Sequence, residues 1–163
     1  MQSSRALHAL PVLLCLASAP PLFAQTRYRV VNDGEPFHQE PGGRQLARLA
    51  RGAIVTGADP QDEWLRVTIE GWIFAASIGP AARPGFDLAV IRDPDENLRT
   101  APDGALVAKL VQGFQLMRVS EEQERWVRVR REGWVKRDGL APAAVATRAR
   151  ADTAAGAGGL TPG

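Results

Sequence analysis

The sequence predicts an all-β protein built as two tandem small barrels, and three observations predict it. The chain repeats itself, its apolar residues alternate with period two, and glycines interrupt runs that would otherwise suit helices. The repeat is the most informative. Shifted by 61 residues, Glu35, Pro41, Gly43, Ala47, Leu49 and Gly52 fall on Glu96, Pro102, Gly104, Ala108, Leu110 and Gly113. After one gap, a shift of 62 places Trp64, Arg66, Val67, Glu70, Gly71 and Trp72 on Trp126, Arg128, Val129, Glu132, Gly133 and Trp134. Many of these identities fall on glycines, a proline and tryptophans, residues with special backbone or packing roles.

The organisation follows in chain order. Residues 1–24 read as a cleaved secretory signal. Arg5 gives a positive start, and the apolar stretch from Ala9 to Ala24 is broken by Pro11, Pro20 and Pro21, too short to span a bilayer. Cys15 is not expected to carry a lipid, because Leu14 stands where lipidation needs a small side chain. The expected product is exported, periplasmic or extracellular, with no stable membrane insertion. It has no cysteine, so its core alone must hold it. The first barrel is expected over 25–78 and the second over 86–140. The linker "GPAARPG" (79–85) has two prolines and is semi-rigid. Residues 141–163 are poor in large aliphatic side chains and are expected to form a disordered tail, with a frayed helix over 143–151 as the lesser alternative.

Within each copy the strands declare themselves by alternation. Val127 and Val129 oppose Trp126, Arg128 and Arg130; Leu65, Val67 and Ile69 oppose Trp64, Arg66 and Thr68. Gly71 and Gly133, in the two "EGW" triplets, are expected to mark tight turns into further strands. Upstream, "QLARLARGAIVTGA" and "LVAKLVQGFQLMRV" each predict two short strands around Gly52 and Gly113. Leu46 and Leu49, or Val107, Leu110 and Val111, also keep helical spacing, but a glycine in mid-run favours strand. Four or five short strands per copy leave edges that closure into a barrel would remove. Units this small gain from packing on one another.

Composition excludes several functions. The chain carries 20 basic and 18 acidic residues, a balance that argues against nucleic acid as a partner. Beyond residue 24 there is one histidine, His38, and no cysteine. With no nucleophile–base pair, neither enzymatic activity nor a cofactor is expected. Asp93 to Asn97 begin like a calcium loop. However, Leu98 stands where glycine is required and Gly104 where the bidentate glutamate belongs, so a turn capped by Asp93 and Pro94 is the expectation and no metal is predicted. Glu121, Glu122 and Glu124 read as a solvated hairpin tip facing Arg128, Arg130 and Arg131. Trp72 and Trp134 read as packing residues. Trp64 and Trp126 fall on the face opposite the valines. There, Trp126 beside Arg128 would suit a peptide ligand, with packing as the equal alternative.

One more set of residues gives a family resemblance. Asn97-Leu98-Arg99 with Pro102, then Leu110 to Gly113, then Trp126 to Val129, then Gly133-Trp134-Val135 is similar to the bacterial SH3-like (SH3b) family. The first copy matches in its second half only, with Pro36-Phe37-His38 in place of Asn97-Leu98-Arg99. The resemblance implies small five-stranded barrels serving as non-catalytic attachment modules for peptidoglycan or its stem peptides. It implies Asn97, Arg99, Trp126, Arg128 and Trp134 as ligand-binding residues, with Trp64 and Arg66 in the weaker first copy. The alternative is a protein–protein adaptor in the cell envelope.

Overall fold

The structure is a computed structural model that describes residues 26–120 and 123–143; the expected signal segment and nearly all of the expected tail lie outside these residues. The described residues form twelve strands. In the first copy these are β1 (Thr26–Val30), β2 (Glu35–His38), β3 (Gln45–Leu49), β4 (Ile54–Gln61), β5 (Trp64–Phe74) and β6 (Ile78–Pro80). In the second they are β7 (Leu88–Val90), β8 (Asp95–Arg99), β9 (Leu106–Val111), β10 (Gln115–Arg118), β11 (Trp126–Lys136) and β12 (Leu140–Pro142). A single 3₁₀ turn precedes β6 and another precedes β12, and no other helix occurs among the described residues. The protein is therefore all-β, as the alternation predicts.

The predicted inward residues are inward. Leu65, Val67 and Ile69 on β5, and Val127 and Val129 on β11, are all buried, and Ile73 and Val135 continue the same phase beyond them. They join Leu49, Leu98, Leu110 and Leu116 in one hydrophobic core, in which Phe37 from the first copy meets Phe114 from the second at 6.1 Å between ring centroids. At Gly52 and Gly113, φ is +83° and +81°, a conformation that costs glycine little. Each therefore turns the chain between two short strands where the helical alternative would have continued.

Pairing joins the copies. Strand order is β12-β1-β4-β5-β8-β9-β3-β2-β11-β10-β7-β6, and β5 also pairs with β11 along their full eleven residues. That extra pairing closes β5, β8, β9, β3, β2 and β11 into a six-stranded barrel. Three of its strands come from each copy. Where the sequence predicts that each copy closes on itself, the closed ring is shared. The order also reads the same from either end once each strand is exchanged for its counterpart, so the repeat produces a pseudo-two-fold arrangement. Ile69 and Arg131 are counterparts, and they face each other directly in the β5–β11 ladder, on the pseudo-axis.

Two local expectations are corrected. Gly71 and Gly133 are not in turns; β5 and β11 run straight through them. A Cβ on Gly71 would collide with the Arg99 carbonyl of β8, and one on Gly133 with Phe37 and the His38 carbonyl of β2. These glycines admit a neighbouring backbone, the second role that glycine plays in strands. The other correction concerns boundaries. Gly79 and Pro80, assigned to the linker, pair with β7, and Ala141 and Pro142, assigned to the tail, pair with β1.

Candidate functional site

The β5–β11 ribbon turns its even-numbered residues outward. The cross-strand pairs run Phe74–Trp126, Trp72–Arg128, Glu70–Arg130, Thr68–Glu132, Arg66–Trp134 and Trp64–Lys136. All four tryptophans therefore share one face of one ribbon. Flanking strands extend two of these pairs into rows. Arg99 on β8 pairs with Trp72, giving the row Arg99–Trp72–Arg128. His38 on β2 pairs with Trp134, giving the row His38–Trp134–Arg66. Neighbours in such rows lie about 4.5–5.5 Å apart at the backbone, close enough for one ligand to touch all three. Each row draws on both copies.

Local contacts fix these side chains. Trp126 is half-buried against Phe74, edge to face at 5.8 Å, with the Arg125 guanidinium 5.9 Å from the Phe74 centroid. Trp64, predicted to lie at least partly on the surface, is buried at 8% exposure. His38 stands edge-on to it at 5.1 Å, and the Lys136 ammonium lies 5.6 Å from its centroid. Its ring is thus covered and contributes packing. Trp72 and Trp134, predicted to pack, are half-buried and keep part of their rings in solvent. His38 is held by donation from Nδ1 to the Gly43 carbonyl at 2.8 Å.

The arginines are partly committed. Arg128 forms an ion pair with Glu70 of the first copy, where the sequence predicts the acidic hairpin tip as partner. Glu121 and Glu122 of that tip lie outside the described residues. Arg66 pairs with Asp59. Arg99 donates from Nη1 to the Gly104 carbonyl at 2.9 Å, which braces its own hairpin. Asn97 pairs with Lys109 on β9 and is half-buried. The calcium-like acids are also engaged: Asp95 accepts from Arg48 at 3.0 Å, and Glu96 accepts from Ser77 and lies 3.9 Å from Arg92.

Of the predicted residues, Arg99 and Arg128 are brought together around Trp72, and Arg66 and Trp134 beside His38. Trp126 closes one end of the ribbon, while Asn97 and Trp64 take no place in either row. Sequence reasoning missed His38, Phe74 and Glu70 as neighbours of this face. The cross-copy register that brings them in carries no local signal. No family model, no curated protein and no solved structure matches this chain.

Beside the ribbon, Arg27, Arg51, Thr56, Glu70, Thr100 and Arg128 line a groove of about 560 Å³ together with residues around Gly52 and Leu106. Its charge is mixed, and the Arg128–Glu70 pair crosses it. The half-exposed rings of the ribbon, with the guanidinium and carboxylate groups beside them, can stack on and hydrogen-bond a peptide-like ligand.

Proposed function

We propose that this protein is an exported, non-catalytic binding protein of the cell envelope. It recognises peptidoglycan or its stem peptides through the outward face of β5 and β11. In this reading it consists of two SH3-like units that have exchanged parts: β1, β4 and β5 take the β8–β9 hairpin and β12 from the other copy, and β7, β10 and β11 take β2–β3 and β6. The palindromic strand order supports such units. The observation that carries the functional reading is the pair of rows, Arg99–Trp72–Arg128 and His38–Trp134–Arg66. Each offers a half-exposed indole between cationic or hydrogen-bonding groups. Such a surface suits short peptides that carry both amide planes and carboxylates.

Co-sedimentation with purified sacculi tests the proposal. The expected result is saturable binding by the wild-type chain that weakens when Trp72 or Trp134 is changed to Ala. Failure of the wild type to sediment, together with capture of one defined envelope protein, would replace wall binding by the adaptor reading.

A further inference from the structure

Arg131 is the unusual residue of this fold. It occupies an inward position of β11, between Val129 and Gly133, and is 9% exposed. Phe86 lies against its guanidinium, 4.0 Å from ring centroid to Cζ, and Phe114 stands at 6.0 Å. Its Nε and Nη1 are buried and donate to nothing among the described residues. Burial, and next the nearby Arg83 charge, hold its pKa below the ordinary guanidinium value. A guanidinium starts so high that it stays charged at neutral pH. A buried charge with unused donors is among the most costly groups a core can hold, unless a counter-charge reaches it.

A pocket of about 520 Å³ opens onto this group. Arg44 and Arg83 add positive charge to its wall, no acidic side chain among the described residues lines it, and Leu46, Val111 and Phe114 supply an apolar flank. Gln115 adds a second orphan. Its amide nitrogen donates to the Gly113 carbonyl at 3.0 Å, and its Oε1 is buried with no partner. The pocket lining therefore carries unused donors on Arg131 and one unused acceptor on Gln115. An anion with no proton to give, such as acetate or sulfate, would satisfy the donors only. A peptide C-terminus satisfies both, since its carboxylate can accept from Arg131 while an amide N–H donates to Gln115. The apolar flank leaves room for a small terminal side chain.

We propose that this pocket binds the C-terminal carboxylate of a peptide, with Arg131 as the charge partner and Gln115 as the amide acceptor. Arg131 lies on the inward face of β11 and the tryptophan rows on the outward face, so the proposal stands independently of wall recognition.

Calorimetric titration of the full chain tests it with four probes: N-acetyl-Ala-Ala with a free C-terminus, the same peptide amidated, sodium acetate and inorganic phosphate. The free acid should bind saturably and the amide at least about tenfold more weakly, as expected for loss of a desolvated charge pair. Arg131→Leu should abolish binding of the acid. Gln115→Leu should weaken the peptide by roughly three- to tenfold while leaving acetate unchanged, because acetate has no N–H to offer. Equal affinity for acid and amide, or an Arg131→Leu protein that binds like wild type, would overturn the proposal. Phosphate binding as tight as the peptide's would overturn it in favour of a simple oxyanion site. Should Arg131→Leu fail to fold, the acid–amide comparison on the wild type and the Gln115→Leu titration still decide.

Discussion

Two grooves in this molecule are built from the same repeat and have diverged in their lining. One is lined by Gly52, Ala53, Ile54, Thr100, Ala105 and Val107; the other by their counterparts Gly113, Phe114, Gln115, Gln39, Arg44 and Leu46. In the first, Ala53 stands where the second has Phe114, and Glu70 pairs with Arg128, one of three arginines in the lining. In the second, the Phe114 ring stands 6.0 Å from the Arg131 guanidinium, and the charged residues among the described lining, Arg44, Arg83 and Arg131, are all cationic. The difference centres on one position. The pseudo-axis pairs Ile69 with Arg131, so one copy contributes a fully buried methyl-rich side chain and the other a buried charge. A duplicated backbone has kept its strand order and changed the chemistry of one mouth.

The largest expected effect tests whether the copies can be compared at all. Because the closed barrel takes three strands from each copy, residues 26–85 and 86–143 expressed separately should each lack a cooperative thermal transition. Mixing them should restore it. Circular dichroism melts and amide NMR spectra check this. A folded monomer of 86–143 alone would mean that each copy can close on itself, and the two grooves would then have to be treated as separate sites.

Next come the axis residues. Ile69→Arg gives the first copy the second copy's burden without its aromatic cradle, and should cost on the order of 3–5 kcal/mol. Arg131→Ile makes the reverse change and should stabilise the apo protein by about 1–4 kcal/mol, raising the melting temperature by roughly 4 °C or more per kcal/mol in a domain of this size. Denaturant titrations measure both. A destabilised Arg131→Ile protein would mean that stacking on Phe86 already compensates the charge, and the second groove would lose its claim to be strained.

The legible and illegible parts of this fold divide along physical lines. Strand identity was legible, since an antiparallel strand with one buried face must alternate, and Leu65, Val67, Val127 and Val129 do so. Partner choice was not. Counterpart strands present nearly the same pattern, so nothing local tells β2 to pair with β11 of the other copy. The "EGW" glycines were ambiguous for a similar reason, because glycine serves both turns and close backbone approach. Of the site, the outward placement of Trp126, Arg128 and Arg66 followed from alternation alone. Arg131 was missed although its signal was present: in "WVRVRREGWV" it falls on the same phase as Val127, Val129 and Val135. A lone charge in the inward phase of a strand marks either an edge or a site, but the neighbouring Arg128 and Arg130 group it with the outward stripe.

The two tryptophan rows sharpen the comparison from the outer side. Because each row mixes residues from both copies, Trp72→Ala with Arg128→Ala and Trp134→Ala with Arg66→Ala should each weaken sacculus binding, by roughly 1–3 kcal/mol. The resemblance to a known module implies the opposite, a weaker first copy. Loss from one double variant only, with dichroism unchanged, would mean that a single row binds.

The smallest expected effect concerns the ion pair that distinguishes the first groove. Glu70→Gln keeps the shape of the side chain and removes the charge that faces Arg128. Both members are well hydrated, with side-chain exposures of 48% for Arg128 and 35% for Glu70. Water can therefore replace most of what the pair provides, and the cost should be at most about 1 kcal/mol. For the same reason, raising salt toward 1 M should shrink the difference between variant and wild type, since exposed pairs are screened within a few ångströms at that ionic strength. Paired chemical denaturation curves at low and high salt give the measurement. A loss of several kcal/mol that salt does not reduce would mean that Arg128, once unpaired, behaves as a desolvated charge. The first groove would then be as dependent on a counter-charge as the second, and the contrast between a groove with an internal ion pair and one whose charged lining is all cationic would fail.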